Sequence, residues 1–408
     1  MVDTPLWVFA KWLMISVFIG LGAGAVGVFF HFTLEWCTQT RQANHYIIFF
    51  LPLAGLVIVW LYKRFGAGDR GTDMVLTAIR SDESMRAVTA PLIFMGTALT
   101  HLFGGSAGRE GAALQIGGSV ATQIGRLFRP GEKDKHIIVM CGASAAFAAL
   151  FGTPITAAIF SLEVTSVGLM YYSAIVPCTV AAVTGAMLAR ACGISPTAFL
   201  LSEIPSPDPR SLLQALLLGI LCAAVSILFC RAMHSAGALF RRRLPNIYLR
   251  VVTGGGLIIL LTLLVGNGAY NGAGMEIIEK AMAGNALPYS FLLKILFTAI
   301  TLGSGFKGGE IVPVFFTGAT FGCVAGGLLG LPASFGAGVG LAAVFCGVTN
   351  CPIASLMLSI ELFGSEGVML FALAIAACYM LSGYSGLYGE QKIVYSKLRS
   401  EFIDIKTK

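Results

Sequence analysis

Long apolar runs recur along the whole chain: Leu13–Phe30, Ile47–Tyr62, Leu212–Cys230, Val251–Val265, Val314–Leu329 and Val368–Leu381. Short stretches of Gly, Pro and charge separate them, and strand-like alternation is absent, so helices rather than a barrel are expected to cross a bilayer. Two runs, His136–Leu150 and Pro352–Leu362, are shorter than the ~20 residues a perpendicular spanning helix needs. They lack the polar face of an interfacial helix and are expected to be half-helices that meet inside the membrane. The expected fold class is an all-α integral membrane protein with many broken or short membrane helices.

Composition strengthens this reading. Hydrophobic residues make up 56% of the chain and charged residues 12%, against about 25% charged in a soluble domain. Fifty glycines suit close helix packing. Met1–Ala10 has no basic segment and Lys11 precedes too long an apolar run, so no cleavable signal peptide is expected. The basic groups Lys11, Lys63-Arg64, Arg70, Arg241–Arg243 and the Lys392–Lys408 tail mark expected cytoplasmic faces, which places the chain in the cell membrane as a multi-pass protein. The net charge of +7 sits largely in these loops and carries topology; no basic–aromatic pattern points to nucleic acid. Ten cysteines lie mostly in apolar segments without metal-ligand spacing, so no metal or other cofactor is expected.

The chain repeats itself. Thr153-Pro154-Ile155 through Glu163 reappears as Cys351-Pro352-Ile353 through Glu361, 198 positions on. A glycine-rich stretch, GGSAGREGAALQIGG at Gly104–Gly118, has a counterpart in GSGFKGGEIVPVFFTG at Gly303–Gly318, and Glu110 and Glu310 are 200 positions apart. Each half reads as a glycine-rich acidic motif, an apolar run, then a Pro-led helix ending in Glu. A single transmembrane domain over 1–408 is expected, with a first repeat at about 13–204, a linker near Pro205–Arg210 and a second repeat at about 211–400. Repeats of this kind characterise transporters whose ion sites lie between broken helices at the repeat interface.

Ionisable residues at membrane depth default to function. A helix N-terminus offers unpaired N–H groups and a positive dipole end, so it attracts anions and still releases them. Gly108–Gly111 and Gly308–Glu310 each lead into an apolar helix in this way, and Pro313 suits a first helical turn. Glu110 inside such a site is expected to move and titrate: ionised it occupies the anion's place, protonated it swings away and carries a proton. Competition for the same amides would then couple proton to anion. The structural alternative is that Glu110 merely pairs with Arg109, which successive helical positions disfavour. Glu310 has the corresponding alternative, a structural pair with Lys307. His101, before the first motif, is a candidate titratable neighbour. Glu163 and Glu361 are expected to make structural hydrogen bonds near the aqueous faces.

At these residues the chain resembles the CLC superfamily of anion channels and anion/proton exchangers. GREG at Gly108–Gly111 is similar to the family's GKEGP motif, GEIVP at Gly309–Pro313 to its GxFxP motif, and Tyr395 in Val394-Tyr395-Ser396 to the pore tyrosine of its last helix. The resemblance spans roughly 13–400. It implies inverted repeats, about eighteen helical segments, a homodimer with one pore per subunit, and Glu110 as the external gating glutamate. It also implies an anion site built from Gly108, Arg109, Gly111, Glu310, Ile311, Val312 and Tyr395, with Gly71 or Thr72 at the place of the family's pore serine. No long extension follows Tyr395, so no separate cytoplasmic regulatory domain is expected.

The departures select a branch. The GSGIP motif is replaced near Gly66–Asp73 by GAGDRGTD, where Arg70, Gly71 or Thr72 stands for the serine; Val164 stands where chloride/proton exchangers carry an inner glutamate; Glu310 replaces an apolar residue. Together these resemble the fluoride-transporting branch, in which the glutamate of GGE serves the site and proton coupling. Val312 stands where that branch typically has threonine. Fluoride binds hydrogen-bond donors strongly, and a second carboxyl that can be protonated suits it. The leading expectation is a fluoride/proton antiporter using Glu110 and Glu310. The alternative is a chloride/proton exchanger or passive chloride channel. An intramembrane enzyme is the remote third, since HExxH and GxSxG are absent.

Overall fold

The computed structural model describes residues 4–66, 71–81, 84–129 and 131–407. Arg70, expected near the place of the pore serine, lies outside these residues. The long apolar runs fold as helices, as expected: Leu13–Phe30 lies in α1 (Pro5–Ala43), and Ile47–Tyr62 in a 3-10 turn (His45–Phe50) continuing into α2 (Leu51–Arg64). Then follow α3 (Asp73–Arg80), α4 (Thr89–Leu102), α5 (Glu110–Leu127), α6 (Glu132–Phe151), α7 (Pro154–Glu163) and α8 (Ile175–Ala191). The second half runs α9 (Pro209–Arg243), α10 (Ile247–Val265), α11 (Met275–Met282), α12 (Ser290–Ser304), α13 (Ile311–Leu329), α14 (Ala333–Thr349), α15 (Pro352–Phe363) and α16 (Val368–Leu381). With a second 3-10 turn at Tyr172–Ala174, the described residues hold eighteen helical segments. Among the described residues seven segments are long and apolar enough to cross a membrane, whereas α4, α7, α12, α14, α15 and α16 are shorter apolar helices. His136–Leu150, expected to be a half-helix, lies in one of the seven, because α6 starts earlier in the charged turn at Glu132.

The packing of the first eight helices recurs in the second eight. Helix α5 packs on α6 as α13 does on α14, α1 on α8 as α9 on α16, and α6 on α7 as α14 on α15. Helices cannot be driven together by hydrophobicity inside lipid, so close backbone approach has to supply the contact. At the α5–α6 crossing a Cβ on Gly117 would lie 2.1 Å from the Gly142 carbonyl oxygen; at the α13–α14 crossing a Cβ on Gly318 would lie 2.4 Å from that of Gly340. Glycine is required at both. The crossings hold α5 and α13 against their neighbours, so the N-terminus of each is left at the centre of the molecule.

The two halves meet where α2 packs on α10 and α7 on α15. At the second contact each Pro-led helix is capped by the other's terminal carboxylate. Glu163 accepts from the Ile353 and Ala354 N–H groups at 3.1 and 2.9 Å, and Glu361 from those of Ile155 and Thr156 at 2.9 and 2.8 Å. Both make the structural hydrogen bonds expected of them, although Glu163 is buried rather than at an aqueous face.

A small sheet departs from the all-helical expectation. β1 (Ser166–Val167) pairs parallel with β2 (Lys392–Tyr395), which pairs antiparallel with β3 (Phe402–Lys406). Two of its three strands belong to the segment after α16, where Phe402-Ile403-Asp404-Ile405-Lys406 alternates with the period of a strand.

Candidate functional site: two helix N-termini and two carboxylates

The two glycine-rich motifs pair with each other. Gly108 N–H donates to the Gly309 carbonyl at 2.7 Å and Gly309 N–H to that of Gly108 at 2.8 Å, an isolated antiparallel bridge. It brings the starts of α5 and α13 head to head. The first-turn amides of each helix have no intrahelical acceptor and point into this junction. Ile311, Val312 and Glu110 are fully buried there.

Glu110 stays at its own helix start and Glu310 reaches toward the other motif. A Cβ on Gly108 would lie 3.0 Å from Glu110 Oε2 and 3.1 Å from the Val312 nitrogen, so the Glu110 carboxylate and the start of α13 both border Gly108. A Cβ on Gly111 would lie 2.9 Å from Glu310 Oε2, so the Glu310 carboxylate sits against the start of α5. Thr72 Oγ1 donates to Glu310 Oε2 at 3.5 Å. A cavity of about 110 Å³ opens onto Glu310 and is lined also by Gly71, Met74, Gln115, Tyr62 and Lys307. Lys307 lies with its ammonium 4.6 Å from the Tyr62 ring centre.

Arg109 does contact Glu110. Its backbone N–H donates to Oε2 at 3.1 Å and its Nε to Oε1 at 3.3 Å. Successive helical positions diverge, but Arg109 precedes the helix as its N-cap, with φ −119° and ψ −21°, and so can face Glu110. The guanidinium also lies 5.9 Å from the Phe151 ring centre. His101 is buried on α4, its Nδ1 3.0 Å from the Thr97 carbonyl.

Tyr395, expected beside the anion path, lies elsewhere. It ends β2, half-exposed, with its ring 5.8 Å from that of Phe402. Tyr388, by contrast, is buried and close enough to Glu310, Asp73 and Glu110 to interact with their charge. The next residues rest on α3: Glu390 N–H donates to Asp73 Oδ1 at 3.0 Å. The Tyr388 hydroxyl is buried without a hydrogen-bond partner among the described residues, which is uncommon for such a group and leaves a donor for a ligand. Its surroundings in Gly386-Leu387-Tyr388-Gly389 carried the signal, since two glycines flank it whereas Tyr395 closes a strand.

A second group escaped the sequence reading. Lys294 on α12 is fully buried, and its ammonium donates to the carbonyls of Gly272 at 2.7 Å and Tyr270 at 3.2 Å, beside the Phe316 ring of α13. Its place inside the apolar run FLLKILF was the available signal. At the position of the inner glutamate, Val164 offers only its carbonyl, which accepts from Gln391 Nε2 at 2.8 Å. Nine of the ten free cysteines are buried.

Repeated short helices, head-to-head helix N-termini and buried carboxylates between them define a multi-pass membrane protein built to handle anions. The chain belongs to the CLC family: the family profile described as voltage gated chloride channel matches residues 54–383. It is 36% identical over 396 residues to a chloride/fluoride channel protein of Pseudomonas syringae pv. tomato, covering 95% of this chain and 88% of that one. An H(+)/Cl(-) exchange transporter ClcA of Vibrio vulnificus is 27% identical, with 95% and 91% covered. Among solved structures, a CLC-type fluoride/proton antiporter superposes with a TM-score of 0.91 at 32% identity, covering 95% of this chain and 99% of that one. A slow cyanobacterial chloride/proton antiporter gives 0.79 at 21% identity, a likeness of fold. Members of this family are channels or transporters, not enzymes.

Proposed function

We propose that this protein is a fluoride/proton antiporter of the cell membrane, exporting fluoride as protons enter. The observation that carries the reading is the placement of two carboxylates where the starts of α5 and α13 meet, Glu110 beside Gly108 at the start of its own helix and Glu310 against Gly111 at the start of α5. Either anion or carboxylate can satisfy those amides, and the dipole ends favour both. Ionised, Glu110 closes the junction; protonated, it yields the amides of Gly111, Ile311 and Val312 to the anion. Glu310, steadied by Thr72 and open to the cavity, is the second proton-bearing group, and its carboxylic acid can donate to fluoride. Gly108 and Gly71 leave room for the ion, Arg109 supplies positive charge, and the free Tyr388 hydroxyl takes the place in the anion path that the resemblance assigned to Tyr395.

The names of the relatives support fluoride and proton exchange. A two-fold relation between repeats at about 13–204 and 211–400 is supported by the exchanged caps of Glu163 and Glu361. Charge supports their inversion: Lys11 opens α1, whereas Arg241–Arg243 close its counterpart α9, so the positive-inside rule has the two helices crossing in opposite directions. The assembly is a homodimer in the lipid bilayer, each subunit with its own pore.

One observation favours a second reading. Val164 leaves the inner position without a carboxyl, as in a passive chloride channel. Liposomes loaded with equal fluoride and chloride separate the two. Fluoride efflux with proton uptake supports the antiporter; chloride leaving as fast removes the fluoride assignment, and an unchanged lumenal pH leaves a channel.

A further inference from the structure

A set of ionisable side chains leads from Glu110 to the end of α1. The Arg109 guanidinium holds Glu110 through Nε, and through Nη1 it contacts His31 Nδ1 at 3.1 Å. One turn on, Glu35 Oε2 lies 3.8 Å from His31 Nε2. Side-chain exposure falls along this line from 51% at Glu35 through 18% at His31 and 15% at Arg109 to zero at Glu110. From Lys11 to Glu35 helix α1 rises about 36 Å, more than the ~30 Å hydrocarbon core, so Glu35 meets water on the side opposite Lys11.

Arginine offers only donors. Its contact with His31 Nδ1 therefore requires that nitrogen to be the bare acceptor, with the ring hydrogen on Nε2 toward Glu35. Protonation of Nδ1 would set N–H against N–H and one cation against another. The guanidinium keeps its own protons, so it cannot pass a proton on to Glu110, and the arrangement is a clamp rather than a proton wire.

We propose that His31 is a positioning residue that holds the Arg109 guanidinium on the Glu110 carboxylate, and that its protonation from the Glu35 side releases Arg109 and frees the gate. The inference rests on Glu110 being the gate. The groups that bear on His31 are Glu35 on α1 and Arg109, the N-cap of α5, with Glu110 behind it in the first turn. On α4, His101 bonds Thr97; α6 carries its charges at the far end, where Asp134 pairs with Lys11; α8 ends in the exposed Arg190. His45, in the 3-10 turn beyond the end of α1, is exposed.

The test is fluoride flux through the full-length protein in liposomes, with the pH on the Glu35 side varied between about pH 8 and about pH 4, a window that spans the ordinary histidine range and extends below it. In His31→Gln the amide oxygen still accepts from Arg109 but does not titrate. Its acid stimulation should fall at least threefold relative to the parent, with the proton-to-fluoride ratio unchanged. Glu35→Gln, which leaves the clamp intact, should move the midpoint to more acid pH by about half a unit, the scale of a half-exposed ion pair. A His31→Gln profile that tracks the parent, or that is scaled equally at every pH, overturns the inference, as does an unmoved midpoint in Glu35→Gln. Glu110→Gln is the control: if it stays coupled, the gate reading fails; if it uncouples while His31→Gln tracks the parent, the clamp alone fails.

Discussion

Gly108 and Gly309, 201 positions apart in sequence, exchange both of their backbone hydrogen bonds at 2.7 and 2.8 Å. This bridge sets the separation of two helix N-termini, and with it the size of the proposed anion site. A Cβ on Gly309 would lie 2.5 Å from the Gly111 nitrogen. Gly309→Ala should spread the junction and cut fluoride flux by more than about tenfold, a barrier change of roughly 1.4 kcal/mol. Flux per folded protein, with folding checked by size-exclusion chromatography, measures it; parental flux would mean the bridge does not set the site.

The two carboxylates should separate in their effects. Glu110→Gln mimics a gate that is always protonated and should abolish proton movement. Glu310→Gln keeps an acceptor toward Thr72 but cannot give up a proton, so it should weaken fluoride flux while Glu110 still responds to pH. Simultaneous fluoride-electrode and lumenal-pH recording distinguishes the two, and identical phenotypes would contradict separate roles.

Tyr388→Phe removes a buried donor with no other partner, so it should cost fluoride affinity about fivefold to tenfold, the worth of one hydrogen bond. Tyr395→Phe, in the exposed end of β2, should be silent. Fluoride binding to both variants by isothermal titration checks the exchange of roles.

Glu163→Gln and Glu361→Gln should lower stability without touching coupling. Each carboxylate caps two amides of the opposite repeat; an amide side chain has one acceptor oxygen and orphans an amide, at about 1–2 kcal/mol. Thermal unfolding in detergent should show the loss. A changed proton-to-fluoride ratio would instead make Glu163 a proton carrier.

The legibility of the chain follows the range of each interaction. Helices α7 and α15 were readable from Pro154 and Pro352, because proline marks a first turn through its own backbone geometry. The motifs containing Glu110 and Glu310 were readable because charge in an apolar run is costly wherever it lies. Tyr388 was not, since three tyrosines, Tyr384, Tyr388 and Tyr395, share the tail and a local pattern does not say which returns to the centre. Arg109 was read as diverging from Glu110 because helical spacing was applied to a residue that stands outside the helix.

By itself, the sequence determined that the chain crosses a membrane as helices, that it is built twice, and that carboxylates lie in the two glycine-rich motifs. These follow from hydrophobicity and from spacing along the backbone. Tertiary packing alone brings Gly108 to Gly309 and Glu310 to the start of α5, makes Glu163 and Glu361 cap each other's repeat, and puts His31 in contact with Arg109. Those partners lie tens to hundreds of residues apart, and what joins them is the approach of backbones at the glycine crossings Gly117–Gly142 and Gly318–Gly340. Such contacts are set by how whole helices pack, a property that no local stretch of the chain carries.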